Sequence, residues 1–244
     1  MLSGKKALIT GGTGGIGAAI CRVLSASGAD VAFTYHTNSQ GAQDLADELS
    51  APDKPCLFDR IEADQAAQID GFCREVEKQF GTIDILINNL GATQVMPFAL
   101  MEEEDWDDMM RINLKSMFLF SRAVVPCMIR QRAGTILNVG SIAGHRLLEV
   151  PVHYATAKAG VTGFTISLAK ELCRYSIRVN EIAPGLIQGG VGMNITAKQL
   201  EDFNKFCTMG RPGKPEEVAE LACFLVSDKA SYINAQSIFI DGGL

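Results

Sequence analysis

The stretch "TGGTGGIG", Thr10 to Gly17, can be counted in two glycine registers. From Gly12 it is G-x-G-x-x-G, with Gly12, Gly14 and Gly17, the dinucleotide fingerprint of long dehydrogenases. From Thr10 it is T-G-x-x-x-G-x-G, with Gly11, Gly15 and Gly17. In both registers a short apolar burst, "KALIT", runs through glycines into a helical pattern. That order offers free backbone N–H groups and the positive end of a helix dipole to a pyrophosphate. A plain flexible turn is the alternative, because the chain holds 24 glycines and a glycine cluster alone is weak evidence.

Outward from this loop, apolar bursts bounded by glycine alternate with segments of helical period. Strands are expected at "KALIT", "DVAFTY", "CLF", "IDILINN", "GTILNVGS", "IRVNEIAPG" and "SIFIDGG". Helices are expected at about Gly15 to Ser27, Gln40 to Leu49, Ala66 to Phe80, Asp105 to Arg132, His153 to Tyr175 and after Pro215. The bursts are continuous runs of β-branched residues and leucine, without in-out alternation, as in strands covered on both faces. The expected fold is therefore α/β, a doubly wound seven-stranded parallel sheet of the Rossmann kind. No low-complexity linker or fixed repeat divides the 244 residues, so one domain is expected.

Apolar residues make up 47% of the chain and charged residues 20%, and the net charge is -6. The acidic balance speaks against a general nucleic-acid binder, whose footprint is basic. No run of about 18 uninterrupted apolar residues is present to span a membrane, and "MLSGKKALIT" lacks the apolar core of a signal peptide. A cytoplasmic location is the default expectation. Seven widely spaced cysteines form no C-x-x-C and have no histidine at zinc-ligand spacing. They are expected to be reduced core residues, and no metal site is expected.

In dinucleotide folds a carboxylate at the end of the second strand binds the ribose hydroxyls and repels a 2'-phosphate. Here the strand ends in Tyr35, His36, Thr37, Asn38 and Ser39, all hydrogen-bond donors, while Asp30 lies at its other end. NADPH is therefore expected over NADH, although no arginine or lysine lies in this stretch to pair with the phosphate.

"SIAGHRLLEVPVHYATAKAG" contains Ser141, Tyr154 and Lys158. Tyr154 and Lys158 stand at i and i+4, on one helix face. A phenol of pKa about 10 needs roughly 4 kcal/mol of phenolate stabilisation to titrate near 7, and a neighbouring ammonium has the right sign. A Y-x-x-x-K arises by chance about 0.2 times in such a chain, so a solvated helical pair is the alternative. His145 and His153 flank the segment and read as pocket-wall or surface residues rather than catalysts.

T-G-x-x-x-G-x-G at Thr10 to Gly17, "NNLG" at 88–91, Asn113 in "RINLKSMF", Ser141, Tyr154 with Lys158, "PG" at 184–185 and "IDGG" occur together. In this combination the chain resembles the short-chain dehydrogenase/reductases over nearly its whole length, most closely the 3-oxoacyl-[acyl-carrier-protein] reductases. The resemblance selects the Thr10 register. It implies that Tyr154 protonates a substrate carbonyl while a nicotinamide delivers hydride, and that Lys158 lowers the tyrosine pKa and binds the nicotinamide ribose. Ser141 would bond the carbonyl oxygen, and Asn113 would hold a water relaying protons to Lys158. The implied cofactor contacts are Gly11, Gly12, Thr13, Gly14, Ile16, His36, Asn89, Tyr154, Lys158 and Ile187, with Asn38 in the donor run beside His36. For the adenine, gap-free alignment gives Glu62 and Ala63, whereas strand hydrophobicity favours Asp59.

The chain departs from that pattern in three places. Leu90 replaces the alanine of N-N-A-G and adds bulk near the cofactor. Gly189 stands where a threonine usually anchors the nicotinamide carboxamide. Arg174 falls one residue short of its expected place, which Tyr175 takes. Arg130, Arg132 and Arg174 are expected as a basic patch beside the cleft, with Arg132 and Arg174 suited to an acyl carrier protein, or else as plain solvated arginines. Residues 188–209 are expected to form a mobile substrate lid whose methionines, with Met96, suit an apolar chain or are ordinary filler.

The resemblance implies an NADPH-dependent ketoreductase acting on a β-keto acyl group, carrier-linked, in fatty-acid or polyketide-type assembly. It further implies a homotetramer pairing the helices at 105–132 and 153–175. Two rivals stand beside this reading: an NAD(P)-dependent alcohol or steroid dehydrogenase acting on a free small molecule, and an inactive dinucleotide-sensing protein.

Overall fold

The computed structural model describes residues 1–244 except Asp53, Leu147 and Asn194, and gives Met193 without its side chain. Seven strands form one parallel sheet: β1 (Lys6–Ile9), β2 (Asp30–Tyr35), β3 (Leu57–Arg60), β4 (Ile85–Asn88), β5 (Gly134–Val139), β6 (Ile177–Pro184) and β7 (Ser237–Ile240). Their order is β3-β2-β1-β4-β5-β6-β7, so the chain reverses direction across the sheet between β1 and β4. At such a switch point a crevice opens at the carboxyl ends of the strands.

The covering helices are α1 (Gly15–Ala26), α2 (Ser39–Leu49), α3 (Ala66–Phe80), α4 (Glu103–Met110), α5 (Ser116–Gln131), α6 (Val152–Leu172), α7 (Ala197–Phe206) and α8 (Pro215–Val226). Strand side chains alternate between two cores. Ala7, Ile9, Ile85 and Ile87 face the layer of α1, α2 and α8, while Leu8, Leu86 and Ile136 face that of α3, α5 and α6. All seven are buried, which is why the strands read as unbroken apolar runs. Helix ends follow local chemistry. α3 stops on Gly81 at φ +81°, α8 starts on Pro215 with Glu217 closing a capping box, and α7 starts on the Thr196–Gln199 box.

Four expectations need correction. The helix placed at Asp105 to Arg132 begins at Glu103 and is interrupted by a π-helical turn, Arg111–Lys115. β3 runs on from "CLF" to Arg60, because its backbone pairs with β2 up to Tyr35. Segment 188–209 includes α7 and a short turn at Val191–Met193, with Asn194 outside the described residues. Among the cysteines, Cys173 is exposed and Cys56 half-buried; the other five are buried, and burial pushes the Cys56 and Cys73 thiols up to about 12.

The continuous helical run Glu103–Gln131 is long and apolar enough to span a bilayer by length and composition, and half of its most apolar window is buried. Its apolar side chains, among them Phe120, Val124 and Met128, pack on the sheet beside α3. The stretch "MFLFSRAVVPCMI" is therefore mainly internal core, with Phe118 turned outward.

Candidate active site

The loop after β1 is locked by its neighbours. Asn89 donates its side-chain N–H to the carbonyls of Thr10 (3.0 Å) and Gly11 (3.1 Å), and the Thr10 hydroxyl accepts the N–H groups of Asn89 and Leu90. Gly11 takes φ +68°. A Cβ on Gly17 would overlap the Gly11 carbonyl, and one on Gly12 would press into the fully buried ring of Phe33. α1 then begins at an N-cap, Gly14, that has no side chain to bond its first N–H groups. This cradle fits a dinucleotide pyrophosphate in the Thr10 register. The Gly189 carbonyl lies 3.0 Å from where a Gly15 Cβ would stand, so the segment after β6 comes down onto the loop. Ile187 is buried and pairs as a bridge with Gly213, fixing that segment's root. Leu90 is only half-buried, at the cleft rather than in the core.

At the end of β2 the structure assembles a cluster drawn from two strands. Because Tyr35 pairs with Arg60 in the β2–β3 register, the Arg60 Nε donates to the His36 carbonyl (2.9 Å). Arg60 also pairs with Glu62 (2.7 Å), whose second oxygen lies 3.0 Å from His36 Nε2. The expectation that no arginine lies here is thus overturned: β3 brings it from 24 residues away in sequence. Glu62 reaches His36, whereas among the described residues Asp59 accepts the N–H of Arg60 alone. Ala63 is buried. Asn38 caps α2 through its side-chain oxygen, which accepts the Gly41 N–H at 2.9 Å.

The candidate catalytic groups gather at the carboxyl ends of β4 and β5. Ser141 stands one residue beyond β5, after Gly140, and caps a short 3-10 turn, accepting the Ala143 N–H. Asn113, fully buried on the π-helical turn, clamps the loop after β4 by bonding both the N–H (3.3 Å) and the carbonyl (2.9 Å) of Ala92. Such turns recur at functional sites because they redirect one side chain. Asn113 Oδ1 and Lys158 Nζ converge on Gly91, lying 3.0 and 3.4 Å from the place a Cβ would take. Tyr154 and Lys158 share a face of α6, with the ammonium 5.8 Å from the ring centroid.

The electrostatics differ in sign from the expectation for Tyr154. Burial raises its phenol above the usual value, while the neighbouring Ser141 hydroxyl works the other way. Lys158 is itself buried, 4% exposed, and its ammonium donates to the Val139 carbonyl at 3.1 Å. Burial pulls the lysine down to about 8, against a pull upward from Glu181.

His153 is buried, not a surface residue. Its Nδ1 accepts the Tyr154 N–H at 2.8 Å, and burial lowers its pKa, so the ring is a neutral part of the helix start. His145 is half-buried against Glu181. Arg132 and Arg174 do lie together, with the Arg132 guanidinium donating to the Arg174 carbonyl at 3.2 Å, but they are not beside this cleft. They follow α5 and α6 and precede β5 and β6, at the amino edge of the sheet, while Ser141 lies beyond the other end of β5. Arg130 is paired with Glu77.

A family model described as enoyl-(acyl carrier protein) reductase matches residues 11–244. The chain is 39% identical over its whole length to a 3-oxoacyl-[acyl-carrier-protein] reductase of Thermotoga maritima, covering 98% of that protein. It is 36% identical to the enzyme of the same name from Escherichia coli, across 99% of this chain and 97% of the other. Among solved structures, a short-chain dehydrogenase/reductase from Serratia marcescens superposes with a TM-score of 0.91 at 31% identity, covering 99% of this chain and 98% of that one. The fold, the glycine cradle and these whole-length likenesses together place the chain in the short-chain dehydrogenase/reductase family, as an NAD(P)-dependent oxidoreductase.

Proposed function

We propose that the protein is an NADPH-dependent ketoreductase that reduces the 3-oxo group of an acyl chain held as a thioester on acyl carrier protein, in fatty-acid or polyketide-type assembly. The observation that carries this reading is the meeting of Ser141, Tyr154 and Lys158 at the carboxyl edge of the sheet, in a chain similar end to end to 3-oxoacyl reductases. The nicotinamide supplies hydride when bound. Tyr154 holds the proton for the carbonyl oxygen, Ser141 donates a hydrogen bond to that oxygen, and Lys158 adds positive charge beneath both. Asn113 fixes the loop at Gly91 against the lysine and is the proposed holder of a relay water. Gly11, Gly12, Thr13, Gly14 and Ile16 would hold the phosphates, with Asn89 fixing their loop, Ile187 would hold the nicotinamide end, and Glu62 and Ala63 would hold the adenine.

Exposed apolar side chains support an acyl substrate: Val95, Phe98 and Leu100 follow β4, and Phe206 and Met209 lie in the 188–209 segment proposed as the lid. The reading is a cytoplasmic homotetramer joined through α5 and α6, whose outward Phe118 and Ile166 are half exposed. Since Arg132 and Arg174 occupy the far edge of the sheet, they serve carrier docking only across a subunit boundary. The deciding assay follows NADPH oxidation with a 3-oxoacyl carrier-protein thioester, the matching 2-enoyl thioester and a panel of free ketones. The 3-oxo thioester should be turned over fastest. Equal rates on unrelated free ketones would favour the alcohol or steroid dehydrogenase, a preference for the enoyl thioester would make it a C=C reductase, and no turnover would leave a dinucleotide sensor.

NADPH is preferred in this reading because Arg60 offers a guanidinium, and His36 a ring nitrogen, where a 2'-phosphate would compete with Glu62. Arg60→Ala should weaken NADPH binding by roughly 10- to 100-fold, the scale of a lost charged hydrogen bond, and leave NADH binding unchanged. Nucleotide fluorescence titration measures both constants; an equal loss for NADH would remove Arg60 from nucleotide choice.

A further inference from the structure

Glu181 is a carboxylate with no exposed surface, set in the middle of β6 among apolar strands. Burying such a charge is strongly unfavourable unless donors and a counter-charge compensate for lost water. Three side chains from three other elements supply bonds. Thr162 on α6 donates at 2.9 Å, Ser237 on β7 donates to the same oxygen, and His145 Nε2, from the turn after Ser141, lies 3.3 Å from the other oxygen. Thr162 is also 3.0 Å from His145 Nε2, closing a ring of bonds.

The position of this ring relative to the catalytic groups is specific. A Cβ on Gly140 would overlap the Glu181 carboxylate, which therefore lies directly on the backbone of Gly140. The residue before Gly140 is Val139, whose carbonyl accepts from Lys158, and the residue after it is Ser141. Thr162 stands one helical turn beyond Lys158 on α6. Glu181 thus ties the Ser141 turn to the helix carrying Lys158.

We propose that Glu181 is a positioning residue: held by Thr162, Ser237 and His145, it fixes the Ser141 turn against α6 and provides the counter-charge of the Lys158 ammonium from beneath the site. Its charge pulls Lys158 upward against the lowering caused by burial, in keeping with this placement. The other titratable or charged groups around the pair are few among the described residues. Tyr154 faces Lys158 from α6, His145 faces Glu181, and Arg146 and Asp241 pair with each other at 3.0 Å on the outer side of Phe239. The inference rests on Lys158 working charged, as the proposed activity requires.

The test compares pH profiles of kcat for the wild type, Glu181→Gln, Glu181→Met and Glu181→Asp, with NADPH present throughout to stabilise the folded form. The wild type should lose activity on an alkaline limb near pH 8, where buried Lys158 gives up its proton. Removing the carboxylate charge should move that limb to lower pH by about one unit, and Asp should restore most of it. Thr162→Val, which removes one donor and keeps the charge, should lower Tm without moving the limb. A limb unmoved in a folded Gln or Met variant would overturn the proposal, as would failure of both to fold while Asp folds, since Glu181 would then be a requirement of folding alone. If Tyr154→Phe is inert and the limb does not move, only the role of Glu181 falls; if Tyr154→Phe remains active, the assignment of the site falls with it.

Discussion

Tyr154→Phe should lower the rate of carbonyl reduction by about 10²- to 10⁴-fold, the usual worth of a positioned acid, while the protein still folds and binds NADPH. The phenol is raised, not lowered, by its surroundings, so it carries its proton at neutral pH and is a ready donor in the reducing direction. Deleting only the hydroxyl keeps the ring that stands 5.8 Å from Lys158 Nζ, so the packing of α6 on the sheet survives. Ser141 and Lys158 remain, and with them the polar cradle for a developing alkoxide. The loss should therefore appear in kcat, with nucleotide affinity and Tm nearly unchanged. Single-turnover reduction together with fluorescence titration of NADPH separates the two. Reduction at the wild-type rate would remove Tyr154 as proton donor, and a simultaneous loss of nucleotide binding would mean that the hydroxyl also holds the nucleotide.

Why the fold was legible can be seen in β1 and the loop behind it. Ala7, Leu8 and Ile9 are apolar in succession because one sheet face meets α1 and α8 and the other meets α3 and α5, a requirement that neither a helix nor an exposed strand imposes. Gly12 and Gly17 are needed because Phe33 and the Gly11 carbonyl occupy the space of their side chains, so the loop carries its own geometry in its sequence. Tyr154 and Lys158 are near in sequence and lie on one helix, where spacing reports proximity directly.

What could not be read depended on contacts between distant segments. Arg60 reaches His36 only through the β2–β3 register, and a two-residue error in the end of β3 hid it. The π-helical turn that presents Asn113 leaves no mark on apolar periodicity, since one widened turn merely shifts the phase. α7 was obscured by the glycines before it, although the Thr196–Gln199 capping box was a usable signal. Arg132 and Arg174 were correctly grouped but set at the wrong edge. In a parallel sheet every helix C-terminus returns to the amino ends of the strands, and that rule places them without coordinates. Glu181 had a signal too, a lone carboxylate inside "IRVNEIAPG", where burial on both faces demands an explanation.

The sign of the Lys158 effect leads to the second large prediction: Lys158→Met should be nearly inert and yet more stable than the wild type at neutral pH. Activity should fall by at least about 10²-fold, because the cationic part of the cradle is lost. Stability follows from the titration of the lysine. Its folded-state value is about 8 against an ordinary 10.5, and a gap of that size corresponds to about 3 kcal/mol. Below about pH 8 the lysine is charged in both states, so the folded protein bears the full cost of a buried ammonium. Between about 8 and 10.5 the unfolded chain binds the proton that the folded protein has released, so this contribution to stability rises with pH. Methionine has a similar length and no charge to bury, but it leaves the Val139 carbonyl without its donor, which takes back about 1 kcal/mol. The net gain at pH 7 should therefore be about 1–2 kcal/mol. Urea melts at pH 7 and at a pH near 10 test both halves: the variant should be ahead at the lower pH and lose most of that lead at the higher one. A variant less stable than the wild type at pH 7 would mean that Lys158 and Glu181 hold each other more strongly than burial opposes them, and that the site stabilises the fold instead of straining it.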